Sequence, residues 1–281
     1  MADLRDRVVL VTGGSAGIGR ATVARLASAG ARVVTCARDG DRLAEALAGL
    51  DGVTGVVADV ARAGDRELLV QRTLAAHGRL DAVVLNAAVG WMGLVEDTPG
   101  DVVERIVATN LTGVVELTRL SLPHLLRAAA EHGRADVLTV SSSAGLSQVP
   151  PLTVYSATKA GVQGFVSGLR REVTARGVRV HTVMPGPVST EWMARGHGSP
   201  PASDDDARGR LSPGISAERV ADRVAGCLTS YWSRSVAVPR VMGLARLGET
   251  FPVNRVLDVV VSRQTDRVRR VSARMVDERT G

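Results

Sequence analysis

Residues 7–19 read Arg-Val-Val-Leu-Val-Thr-Gly-Gly-Ser-Ala-Gly-Ile-Gly. The first six are a short, β-branched, mostly apolar run, as expected of a strand covered on both faces of a parallel sheet. From Ile18 onward, Ile18, Ala21, Thr22, Leu26 and Ala29 recur at helical spacing until Gly30. Between strand and helix lies a turn carrying Gly13, Ser15, Gly17, Ile18 and Gly19. Glycines there permit a tight turn and let the backbone approach a pyrophosphate, and a helix N-terminus offers free N–H groups and the positive end of a dipole. Strand, glycine turn and helix in that order describe a dinucleotide site. The spacing is Gly-x3-Gly-x-Gly, and such a cluster in any other setting would mark only a turn.

Working outward, the same alternation repeats. Further short apolar runs lie at 32–36, 53–58, 82–85, 136–141, 179–184 and 235–238, with helical periodicity at 18–28, 41–50, 65–76, 100–130, 155–176 and 216–230. Gly78 and Gly177 stand where C-terminal helix caps are expected. Alternating strands and helices predict an α/β fold, a doubly wound parallel sheet of seven strands. The pattern changes at 190–213, a loop rich in Gly, Ser, Pro and Asp, and again beyond residue 240. The expected division is a dinucleotide-binding and catalytic domain over 1–240, with the loop bordering a substrate, and a C-terminal helical extension over 241–281 whose end is rich in arginine.

Composition narrows the function classes. The net charge is +6, but arginines interleave with Asp and Glu, and aromatics are only 2% of the chain, so nucleic-acid binding is not expected. No apolar run approaches the roughly 20 residues of a membrane-spanning helix. Peripheral membrane contact through the tail is a weaker alternative to a tail that is solvated or packed on its own domain. The two cysteines, Cys36 and Cys227, are too few for a disulfide framework and have no metal-ligand spacing, and the first residues do not form a signal peptide. A cytoplasmic location and no metal are expected.

The chain has 35 basic residues and one lysine, Lys159, four residues after Tyr155, which is one of only two tyrosines. At that spacing both side chains share a helix face. A phenol with a pKa of about 10 is a poor base at neutral pH, and a nearby ammonium favours its ionised form. Such a pair can give a proton to a carbonyl or take one from an alcohol. Upstream, the run at 136–141 ends in Ser141-Ser142-Ser143, at the strand end where ligands sit in open α/β sheets. A hydroxyl there can hold an oxygen on which charge develops, although three serines after a strand are commonly a turn.

Together these motifs resemble the short-chain dehydrogenase/reductase family, in its branch with a single Rossmann domain, over residues 5–238. The resemblance implies that Tyr155 is the general acid/base and that Lys159 lowers its pKa and holds the nicotinamide ribose. It implies that Ser142, thirteen residues before the tyrosine, orients the substrate oxygen, and that Asn110 supports a water-mediated proton relay to the lysine. Asp59 and Val60 match the adenine contacts and Asn86 the asparagine after the fourth strand. Pro185, Gly186, Val188 and Thr190 match the loop that grips the nicotinamide. Two departures are Ala88 in place of a glycine and His181 in place of a common asparagine. The implied partner is a small-molecule carbonyl or alcohol; Trp91, Met92, Leu146, Val149, Trp192 and Met193 suggest that it is apolar and fairly bulky. A homodimer or homotetramer is implied by analogy.

The cofactor choice turns on residues 37–39. NAD binders place an acidic residue near the end of the second strand. Here Ala37 holds the expected position and Arg38 follows, a guanidinium suited to the 2′-phosphate of NADP(H). Asp39 is the rival, as a ribose ligand for NAD(H). A non-catalytic, nicotinamide-sensing regulator is the alternative from another class; such proteins usually lose the tyrosine or the lysine.

Overall fold

The computed structural model describes residues 4–148, 150–188 and 214–249, with side chains up to Leu244. Seven strands form one parallel sheet: β1 Val8–Thr12, β2 Arg32–Ala37, β3 Val53–Val57, β4 Ala82–Leu85, β5 Ala135–Val140, β6 Val178–Pro185 and β7 Ser235–Val238. Their spatial order is β3-β2-β1-β4-β5-β6-β7. The chain therefore winds outward from β1 to β3, returns across β1, and winds the other way from β4. The order reverses between β1 and β4, the place where open α/β sheets bind ligands.

The strand sequences are apolar on both faces because both are covered. Leu10, Val83 and Val137 face the helices α3 (Ala63–His77), α5 (Gly113–His132) and α6 (Thr153–Val173). Val9, Val11 and Val84, one residue out of phase, face α1 (Gly17–Ala27) and α7 (Ala217–Leu228). β3 departs from this expectation. It is an edge strand beside α2 (Gly40–Leu47), only partly covered, with Val57 59% exposed. Gly78 and Gly177 take the left-handed backbone expected of caps, at φ 71° and 77°.

The periodic stretch 100–130 is not one helix. It divides into α4 (Gly100–Val107) and α5, joined by a π-helical turn at Ala108–Thr112. A π turn adds one residue without a proline or glycine signal, so periodicity does not reveal it. Directly after β7 a 3-10 helix at Arg240–Glu249 packs against that strand. The helical extension expected beyond residue 249, the loop at 190–213, Thr190, Val149, Trp192 and Met193 lie outside the described residues.

At the opposite end of the sheet from the strand C-termini, Asp136 is fully buried among cations. Arg7 reaches its carboxylate at 2.6 Å, and Arg134 at 2.8 Å to each oxygen. His181 lies 2.9 Å away through Nε2, while its Nδ1 accepts from Arg234 N–H at 3.1 Å. That acceptor role leaves the ring proton on Nε2, directed at Asp136. His181 thus replaces asparagine within a structural network, away from Tyr155.

Candidate active site

The C-terminal strand ends open into a cleft of about 2040 Å³ that runs from the glycine turn to Tyr155. The glycine turn is held from below by residues distant in sequence. Asn86 Nδ2 donates to the carbonyls of Thr12 (2.9 Å) and Gly13 (3.3 Å), and the N–H groups of Asn86 and Ala87 donate to Thr12 Oγ1 at 2.9 and 3.0 Å. The Asn86 amide is therefore committed to shaping the turn. A Cβ on Gly19 would land on the carbonyl oxygen of Gly13, so only glycine fits there. Gly17 takes φ 50° as α1 begins. No side chain caps that helix and no acidic residue stands in its first turn. Free N–H groups, a cradle without Cβ atoms and no competing anion fit a pyrophosphate.

Beyond the turn, Asp59 and Val60 line the cleft at the end of β3. The Asp59 carboxylate accepts from Ala61 N–H at 2.9 Å, which fixes the bend there. Arg38 lines the cleft as well, and no hydrogen bond or ion pair engages its guanidinium among the described residues. Asp39 does not line it; its Oδ1 accepts from Arg42 N–H at 3.1 Å and caps α2.

At the other end of the cleft, Tyr155 and Lys159 project from the first turns of α6 and are both buried. Lys159 Nζ donates to the Val140 carbonyl at 3.1 Å and lies 5.6 Å from the Tyr155 ring centre. A side-chain hydrogen bond joins Tyr155 to Ser142, and Ser142 Oγ accepts from Ala144 N–H at 3.1 Å. Burial pushes the Tyr155 hydroxyl up to about 12, with the Ser142 bond opposing it. Burial brings the Lys159 ammonium down to about 8. The three serines divide their work. Ser141 Oγ donates to the Lys159 carbonyl at 3.1 Å, and Ser143 opens a 3-10 turn, leaving Ser142 beside the phenol.

Asn110 sits in the π turn with its amide fully used. Its Oδ1 accepts from Val89 N–H, and its Nδ2 donates to Val89 O, both at 2.9 Å, and to Thr158 Oγ1 at 3.3 Å. It thereby pins the segment after β4 to α6. Pro185, Gly186 and Val188 line the cleft above β6. Ala88 has no positive φ, as alanine in place of glycine requires.

Several contributors escaped the motif reading. Thr12 ends β1 and carries no signal of its own. Gln163, one turn beyond Lys159, donates to Ser142 O at 3.2 Å; its i, i+4 spacing could have revealed it. Of the side chains expected around a substrate, Met92 lines the cleft. Leu146 turns back to pack with Met184 and Ala237, and the Trp91 indole N–H is buried against Gly93, so neither forms its wall.

A parallel sheet with a glycine turn at its reversal point and a buried Tyr-Lys pair with a half-buried serine beside it defines a dinucleotide-binding oxidoreductase. Residues 7–197 match the family model described as short chain dehydrogenase. The bovine (Bos taurus) dehydrogenase/reductase SDR family member 4 is 35% identical over 194 residues, covering 67% of this chain and 68% of that protein. A Brucella melitensis 3-ketoacyl-(acyl-carrier-protein) reductase complexed with NADH superposes with a TM-score of 0.73 at 27% identity, over 84% of this chain and 99% of that one. A metagenomic short-chain oxidoreductase in complex with NADP superposes at 0.68 and 28% identity, over 84% and 97%. The chain belongs to the short-chain dehydrogenase/reductase family and has its fold. Its solved relatives hold nicotinamide dinucleotides of both kinds.

Proposed function

We propose that the protein transfers a hydride between NADP(H) and a carbonyl or secondary alcohol on an apolar small molecule. The observation that carries this reading is the cluster in which the half-buried Ser142 bonds the buried Tyr155 while the buried Lys159 lies 5.6 Å from its ring. The nicotinamide, when bound, supplies the hydride for reduction or takes it in oxidation. Gly13, Ser15, Gly17, Ile18 and Gly19 would hold the pyrophosphate, Asp59 and Val60 the adenine, and Pro185, Gly186, Val188 and Thr190 the nicotinamide end. Asn86 acts by shaping the glycine turn. Ser142 Oγ and Tyr155 Oη hold the substrate oxygen, and Tyr155 gives that oxygen its proton during reduction. The Lys159 ammonium offsets the charge left on the phenol oxygen, in a site where burial makes that interaction stronger than in water. Asn110 is a positioning residue, because its amide is committed to Val89 and Thr158.

NADP(H) is favoured because Arg38 lines the cleft with no partner among the described residues, whereas Asp39 is spent on capping α2. The buried thiols of Cys36 and Cys227 support a reducing, cytoplasmic setting, and no helix among the described residues is long and apolar enough to cross a membrane. A homodimer or homotetramer through α4, α5 and α6 is the assembly in keeping with the family. We assign residues 1–240 to the catalytic domain and the remainder to an extension.

The test is Tyr155→Phe, with NADPH and NADH titrated against both proteins by nicotinamide fluorescence. Turnover should fall about 100- to 10,000-fold, with NADPH affinity changed less than about threefold. A variant that kept the wild-type rate would remove Tyr155 from the chemistry. Tighter NADH than NADPH binding would move the cofactor assignment to Asp39.

A further inference from the structure

We infer that Met242 sets the size of the substituent accepted beside the reacting carbonyl. This deepens the carbonyl-reductase reading and rests on it. Met242 lies beyond the residues matched by the family model, which end at 197, in the 3-10 helix that follows β7. Its N–H donates to Pro239 O at 3.0 Å, which fixes its backbone where the chain leaves the sheet. From there the side chain reaches back over the strand ends and lines the cleft. Its Cγ and Cε would stand 3.4 and 3.5 Å from a Cβ built on Gly186. Gly186 N–H in turn donates to Val238 O at 2.8 Å, so the turn after β6, the end of β7 and Met242 are held together.

The far side of Met242 rests on Leu146, Met184 and Ala237, all buried. Leu146 N–H donates to Ser143 O at 2.9 Å, closing the 3-10 turn that Ser142 caps. Met242 therefore bridges the turn assigned to the nicotinamide and the turn that carries the serine assigned to the substrate oxygen. At that corner we place a substituent on the carbonyl carbon. On the two turns it bridges, the other cleft-lining side chains, among them Ser143, Ala144, Pro187 and Val188, are shorter than methionine; Met92 lines the cleft from the segment after β4.

The experiment compares Met242→Ala, Met242→Phe and Met242→Leu with wild type on a graded panel of cyclic and aryl-alkyl ketones. It reads kcat/KM for each ketone and, separately, the NADPH dissociation constant. Met242→Ala should raise the bulky-to-small ratio of kcat/KM about tenfold, and Met242→Phe should lower it comparably. Met242→Leu, close in volume, should leave the ratio within about twofold, and NADPH affinity should hold throughout. If the alanine variant unfolds, the phenylalanine variant still decides the matter through the opposite shift. A wild type active on the panel, with ratios unmoved in the variants or all rates falling together, overturns the inference alone. A wild type that binds NADPH and reduces none of the ketones overturns the carbonyl reading together with it.

Discussion

Burial acts in opposite directions on the two central side chains. It holds Tyr155 protonated, up at about 12, and brings the Lys159 ammonium down to about 8. Reduction leaves negative charge on the tyrosine oxygen, and a charged Lys159 stabilises that charge. As pH rises through about 8 the ammonium is lost while the phenol keeps its proton. Under the proposed mechanism, kcat/KM for carbonyl reduction should therefore fall above about pH 8, with Lys159 as the titrating group. Lys159→Met should remove that limb along with most of the rate. A wild-type profile flat well beyond pH 8 would show that the lysine charge is not required. The pair itself was legible in the sequence, because a lone lysine four residues after a rare tyrosine is hard to ascribe to chance. What the spacing could not supply is the degree of burial, which depends on β5, α6 and the segment after β4 closing around both groups.

The first β-α unit shows how tightly an element can constrain a loop. Gly14 has no unusual φ, yet a Cβ there would strike Thr35 Oγ1 and come within 3.0 Å of Thr35 Cβ and Cγ2. Thr35 cannot swing aside freely, since its hydroxyl donates to Val11 O at 2.7 Å. Gly14→Ala should cost about 1–3 kcal/mol, seen as a melting temperature lower by about 3–10 °C. An unchanged melting curve would mean that β2 yields at little cost. Glycine spacing made this turn readable, whereas the reason for Gly14 lies on a neighbouring strand. The same holds for the edge position of β3. Its valines read like those of the central strands, because strand order is decided by the crossovers and not by the residues within a strand.

Across the whole molecule, the end of the sheet remote from the cleft depends on one buried carboxylate. Asp136 draws Arg7, Arg134 and His181 from up to 129 positions away, a set that local patterning cannot assemble. Its guanidinium and imidazole partners hold its carboxyl well below the usual carboxylate range, and burial lowers His181 below its ordinary value of 6.5. The unfolded chain therefore takes up protons first as pH falls, at His181 below about 6.5 and at Asp136 below about 4. The contributions of His181 and Asp136 should be level near neutrality and decline in those two ranges. His181→Asn keeps a donor and an acceptor and should reduce the upper decline, leaving the share of His77 and His124, which burial also lowers. Asp136→Asn should cost about 3–5 kcal/mol by leaving buried cations unmatched. Melting temperatures recorded against pH would check both, and a decline near pH 6 undiminished in the His181→Asn variant would exclude His181 as a source.

The buried Lys159 also has a practical side. Apart from an α-amino group, it is the sole primary amine in a chain of 281 residues, and it sits at the inner end of the cleft. Amine-directed acylation or reductive methylation followed by mass spectrometry would have a single internal target. The modified fraction would report directly on whether that end of the cleft is open or filled, and ligands could be ranked by how well they shield one mass shift, without an assay of turnover.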